Sequence, residues 1–155
     1  QVSINISKPG IPLSGYAERD IFKVYACDCG LLRRLARVSA DIIINGNAGF
    51  TEFKGAMAEN VALQSLMSQA DAEAPYYWTS GNKAEVEFVI QHQSEVVPIE
   101  VKAEENIGGK SRTVYNERYH PKYRVRFSSN NLQRNGNLLS IPSPMACWLP
   151  KVLEE

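Results

Sequence analysis

Apolar and polar residues recur along this chain with periods that divide it into helices and strands. Residues 1–20 are rich in Pro, Gly and Ser and are expected to form an extended or looped lead-in. Residues 21–26 (IFKVYA) have the β-branched and aromatic content of a strand. Residues 30–38 suit a short amphipathic helix, with Leu31, Leu32 and Leu35 on one stripe. A loop follows at residues 45–49. The longest helical pattern covers residues 51–68, where Phe53, Met57, Val61, Leu63 and Leu66 recur at near-helical spacing. Thr51 is placed to cap its start, and a polar stretch followed by Pro75 ends it.

Three strands come next, at residues 76–79, 84–91 and 95–103. In the second, strict alternation puts Glu85, Glu87 and Val89 on one face and Val86, Phe88 and Ile90 on the other. Pro98 cannot donate to a ladder and marks the third strand as an edge or a bulge. A helix at residues 110–119 and strands at 123–128 and 138–141 complete the pattern. Pro142 and Pro144 then interrupt regular structure before a short tail segment. From Thr51 the order is helix, three strands, helix, strand, strand, which is an α/β arrangement.

Composition adds boundaries to this picture. A chain of 155 residues is long enough for one domain with a real core. No apolar run approaches the length of a membrane span, and residues 1–9 lack the basic and apolar regions of a signal peptide. The chain begins at Gln1, which fits a fragment of a longer protein. Cys27, Cys29 and Cys147 are an odd set, expected as reduced thiols in the cytoplasm. A zinc site needs further ligands, and His92 and His120 have no partner at ligand spacing. Lys plus Arg equals Asp plus Glu at 17 each, so no excess of positive charge marks the chain for phosphate backbones.

The candidate chemistry is concentrated in Glu87 and the triplet Glu100-Val101-Lys102. Strand residues i and i+2 project to one side, so Glu100 and Lys102 project together, and Glu87 joins them if its strand pairs beside theirs. Two carboxylates suit Mg²⁺ or Mn²⁺, hard cations that take oxygen ligands and retain waters for a phosphate substrate. A lysine beside them positions an attacking water or balances transition-state charge. Glu59, on the preceding helix, supplies a further carboxylate. Taken alone, E-x-K more often marks a solvated strand face or a cross-strand ion pair. Arg124 and Arg126 share a strand face and, with Lys110, form a basic stripe suited to phosphates, although such runs usually only solvate. Gly109-Lys110-Ser111 echoes a phosphate-binding loop, but Glu104 stands where its first glycine belongs, so the chain has no ATPase site of its own.

The arrangement as a whole resembles a family. Glu59-Asn60 on a helix, Tyr77-Trp78 on a strand, residues 84–90, and Pro98-Ile99-Glu100-Val101-Lys102 follow in order, with Pro121-Lys122-Tyr123 and Arg126-Phe127-Ser128 behind them. Phe22-Lys23-Val24-Tyr25, Asp28 and Gly30-Leu31-Leu32 precede them. This is similar to the uncharacterised C-terminal domain found behind AAA-type ATPase modules in bacteria and archaea, regarded as a divergent PD-(D/E)XK nuclease-like domain. The resemblance implies a restriction-endonuclease-like mixed sheet flanked by helices over residues 51–155, with residues 1–50 as a junction to an upstream ATPase module. It implies Glu87, Glu100 and Lys102 as catalytic residues and Glu59, Glu87 and Glu100 as ligands of Mg²⁺ or Mn²⁺. ATP would enter only through the upstream module. The family usually has Asp where this chain has Glu87, and the extra methylene moves the carboxylate by roughly an ångström or more. The implied function is metal-dependent hydrolysis of DNA or RNA. The alternative is a non-catalytic module that binds nucleic acid or regulates and docks onto the ATPase.

Overall fold

The computed structural model describes residues 1–45, 50–81, 84–103 and 110–154. Eight strands form one mixed sheet: β1 (Val2–Ile6), β2 (Ala17–Val24), β3 (Tyr76–Thr79), β4 (Glu85–His92), β5 (Glu95–Val101), β6 (Arg124–Ser128), β7 (Gln133–Asn135) and β8 (Leu138–Pro142). Their order across the sheet is β2-β1-β3-β4-β5-β6-β8-β7. The helices are α1 (Cys29–Leu35), α2 (Ala40–Asn45), α3 (Thr51–Leu66), α4 (Lys110–Tyr119) and α5 (Leu149–Glu154). The fold is the expected α/β class, a mixed sheet flanked by helices.

The connections follow from pairing geometry. Strands β3, β4 and β5 are antiparallel neighbours, with β4 and β5 joined by a tight turn at Gln93, where φ is positive. Strands β5 and β6 are parallel, and a parallel pair needs a crossover, which α4 provides. The central strands of the sheet are buried on both faces. Val97, Ile99 and Val101 of β5, Val125 and Phe127 of β6, and Leu139 and Ile141 of β8 pack with Ala62 and Leu63 of α3. On the opposite face Ile6, Trp78, Val86 and Val89 pack with Tyr115 of α4. The Trp78 and Tyr115 rings meet edge to face at 5.1 Å. The intervening residues of β5 and β6, among them Glu100 and Arg126, therefore face α4's side by the period of two.

Three sequence expectations need correction. The stretch read as an extended or looped lead-in is part of the sheet: Val2–Ile6 forms β1, inside the sheet between β2 and β3, and Leu13–Tyr16 forms a 3-10 turn. Ile6 and Leu13 are buried, so residues 1–20 are not loosely packed. Burial of such side chains outweighs the turn-forming composition that suggested a loop. Pro98 does not mark an edge strand, because β5 lies between β4 and β6. Its missing N–H is tolerated because the β5–β6 ladder begins one residue later, at Ile99↔Val125. Finally, strict alternation fails in β4. Val86 and Val89 belong to the core under α4, whereas Phe88 belongs to the core under α3. The register against β3 slips between Trp78↔Val86 and Tyr76↔Val89, which inserts one extra residue into β4. Glu87 sits in this β-bulge, where a side chain is re-aimed and regular pairing stops.

Helix α3 is pinned to the chain leaving β2 by one buried side chain. Asn60 is only 2% exposed; its Oδ1 accepts from the Ala26 N–H at 3.0 Å and its Nδ2 donates to the Ala26 carbonyl at 3.3 Å. Asn60→Ala leaves both backbone groups without these partners and is expected to cost about 2 kcal/mol. Urea denaturation of the variant beside the wild type checks this value, and a loss below about half a kcal/mol would show that water replaces the amide.

Candidate functional site

The end of β5 and the start of α4's crossover bring the candidate residues together. Glu100 and Lys102, two positions apart, project to the same side, and the Lys102 Nζ lies 2.8 Å from Glu100 Oε1. The parallel register places Arg126 directly beside Glu100. Its Nε donates to Glu100 Oε2 at 3.5 Å. Both oxygens of Glu100 are thus engaged by cations. The Glu100 and Arg126 side chains are only 12% and 9% exposed, so this pair is shielded from water, whereas Lys102 retains 26%.

Glu87 reaches from the β4 bulge to the same strand end, where its Oε2 accepts from the Val101 N–H at 3.3 Å. Burial pushes its carboxyl up from the ordinary 4.5 to about 7; a backbone N–H bond and the Lys102 ammonium oppose the shift, and the carboxylates of Glu59 and Glu100 add to it. A cavity of about 20 Å³ lies between Glu87, Glu100, Tyr115 and Arg124, room for about one water. A larger cavity, about 840 Å³, lies elsewhere, between residues 69–76 and the C-terminal segment, and none of the candidate residues lines it.

Glu59 belongs to a different set. It projects from α3, whose core includes the odd-numbered residues of β5, opposite the face that carries Glu100. Its Oε2 accepts from the Tyr25 hydroxyl at 3.0 Å and lies 3.7 Å from the Lys23 Nζ. Burial, and then the neighbouring Glu59, hold the Tyr25 hydroxyl protonated well above its usual range. Lys23 also donates to Glu85 and lies over the Tyr77 ring at 5.2 Å. Expecting Glu59, Glu87 and Glu100 to converge on one ion takes no account of these partners. The structure joins Glu100 with Lys102 and Arg126, joins Glu59 with Tyr25 and Lys23, and leaves Glu87 between the two sets.

The described residues of this arrangement do not fit Mg²⁺ or Mn²⁺. Among the described residues, no group of three or more His, Cys, Asp or Glu side chains is arranged to hold a metal ion. A divalent ion here would have to displace the cations from Glu100 or from Glu59 before it found carboxylate oxygens. The basic stripe is similarly committed. Arg126 is spent on Glu100, and the Arg124 Nε donates to Asn137 Oδ1 at 2.9 Å. Lys110 opens α4, but its side chain and Gly109 before it lie outside the described residues.

Sequence reasoning did not assign Lys23, Tyr25 and Glu85. The signal was present: Lys23 and Tyr25 are two apart and precede Asp28, and Glu85 is two before Glu87. Nothing local says that β2 will deliver Lys23 to a carboxylate 62 residues later.

Comparison with curated proteins and with solved structures gives no match. A family model described as "Domain of unknown function (DUF4143)" matches residues 54–145, more than half of the chain. Glu59, Glu87, Glu100, Lys102, Lys110, Arg124 and Arg126 all lie within the match, and Lys23 and Tyr25 lie before it. The chain belongs to the DUF4143 domain family.

Proposed function

We propose that this domain is a non-catalytic interaction module that works as part of a AAA-type ATPase polypeptide. The observation behind this reading is the state of Glu100, the carboxylate on which metal-dependent phosphodiester chemistry would turn. Lys102 and Arg126 hold its two oxygens, so its charge is balanced without a metal. The lysine expected to orient a water is the residue that neutralises the carboxylate. Such a group reads as a structural ion pair, in which loss of either partner leaves a buried charge uncompensated. A docking role is favoured over nucleic-acid binding because Arg126 faces a carboxylate. The exposed apolar side chains Ile21, Phe22 and Val24 on β2 and Leu31 and Leu35 on α1 also suit contact with protein rather than with phosphate.

The test is a cleavage assay of the protein on single- and double-stranded DNA and RNA with Mg²⁺ and Mn²⁺, beside thermal melting with each ion. The expected result is no cleavage and no metal-dependent rise in melting temperature, since an ion bound only to the folded state must raise it. Cleavage that Lys102→Ala abolishes would overturn the proposal in favour of a nuclease built on Glu87, Glu100 and Lys102.

A further inference from the structure

Strand β4 outlasts one of its neighbours. Its ladder with β3 stops at Tyr76↔Val89, whereas its ladder with β5 runs on to His92↔Glu95. The chain before β3 is held against β1 instead, where the Ser3 Oγ donates to the Pro75 carbonyl at 2.8 Å. Backbone groups alternate between the two sides of a strand, so residues 90–92 present N–H and C=O groups to the side that β3 has left. Ile90 and Gln91 line the cavity of about 840 Å³ at that place. Ligand-binding clefts have volumes of roughly 300 to 1,000 Å³. Leu13, Val89 and Leu149 give this one apolar walls, and Trp148, which also lines it, is 50% exposed. The charge of the lining is one-sided. Asp71 and Glu73 are exposed and, among the described residues, have no ion-pair partner. Lys151, the basic residue of the lining, lies over the Trp148 ring at 4.5 Å. Helix α3 ends at Leu66 in the same lining with no basic residue in its last turn, so its carbonyl end adds to the negative field.

We propose that this cleft docks an extended segment of a partner protein, which adds to the open end of β4 as a short strand, buries a bulky apolar side chain in the cavity and sets a Lys or Arg against Asp71 and Glu73. Each part of that ligand answers a feature of the cleft. The open strand end takes a backbone in the β conformation, whose main-chain bonds give affinity while alternate side chains give specificity. The apolar walls select the anchor residue. The two carboxylates and the helix end select a cation beside it and repel an acidic segment or a phosphate backbone. The inference rests on reading the domain as an interaction module, and the two fail on different results: nucleic-acid cleavage ends that reading whether or not peptides bind.

The experiment selects a phage-displayed library of random heptapeptides on the whole chain and titrates the recovered sequences as synthetic peptides by fluorescence anisotropy. The expected enrichment is for a bulky apolar residue with Lys or Arg close by. Asp71→Asn together with Glu73→Gln should weaken binding of these peptides at least about tenfold. Ala74→Trp, which fills the cleft from an exposed position in its lining, should abolish it. Thermal melting of both variants beside the wild type shows that they remain folded. Methylating the peptide's backbone nitrogens one at a time should weaken binding at alternate positions, because an added strand turns every second N–H to its partner. No enrichment, enrichment of acidic peptides, or binding that either variant leaves unchanged overturns the inference. A methylation effect without alternation overturns the strand addition.

Discussion

Glu100→Ala is expected to destabilise the domain by about 3 to 5 kcal/mol, the range for removing one partner of a buried ion pair. The cost comes mainly from what is left behind. Arg126 is 8% exposed and directed at Glu100, so removing the carboxylate leaves a guanidinium charge in a dry place. Lys102 is more exposed and can turn to water, so Lys102→Ala should cost no more than about 1 kcal/mol. Replacing both members of the buried pair, with Glu100→Leu and Arg126→Met together, should recover most of the loss. Urea denaturation of the three variants measures these differences directly. The outcome separates the two readings of the site. A carboxylate kept for metal chemistry is strained by its neighbours, and its removal leaves stability unchanged or raises it. A loss of under about 1 kcal/mol for Glu100→Ala would contradict a structural ion pair here.

Glu87→Gln is expected to stabilise the protein at pH 8 by about 3 kcal/mol and to leave it nearly unchanged at pH 4. The folded-state carboxyl is raised from 4.5 to about 7, chiefly by burial. A raised carboxyl favours the protonated native state. Its contribution is present in full below the ordinary 4.5 and is lost as pH rises through about 7, because the unfolded chain gives up this proton more readily. At about 1.4 kcal/mol per pH unit, that gap corresponds to about 3 kcal/mol at alkaline pH. The amide stays neutral at every pH, and its oxygen can still accept from the Val101 N–H. Denaturation midpoints measured from pH 4 to 8 should therefore fall for the wild type and run flatter for the variant. Parallel profiles would show that the Glu87 carboxylate is solvated in the folded state.

Much of the architecture was legible from local pattern. Tyr76–Thr79 and Lys110–Tyr119 fall where the apolar pattern put them, and Thr51–Leu66 ends two residues before its expected limit. Helix α2 and strand β7 were not legible. Their segments are six and three residues long, too short for any period to register. Strand β1 was hidden by flanking turn-formers, since what makes Val2–Ile6 a strand is pairing with Ala17–Val24 and Tyr77-Trp78.

The candidate site divides the same way. By itself the sequence determined that Glu100 and Lys102 project together, because i and i+2 share a face in any strand. It also determined the α/β class, because helical and strand periods alternate from Thr51 onward. Only the tertiary structure decided what those side chains do. The parallel register of β5 and β6 sets Arg126 against Glu100, and the slip between β3 and β4 places Glu87 in a β-bulge. The antiparallel pairing of β1 and β2 brings Lys23 to Glu59 and Glu85. Each of these is a non-local pairing, fixed by burying two faces of one sheet, and a one-residue change in any of them redirects a charge to the other face.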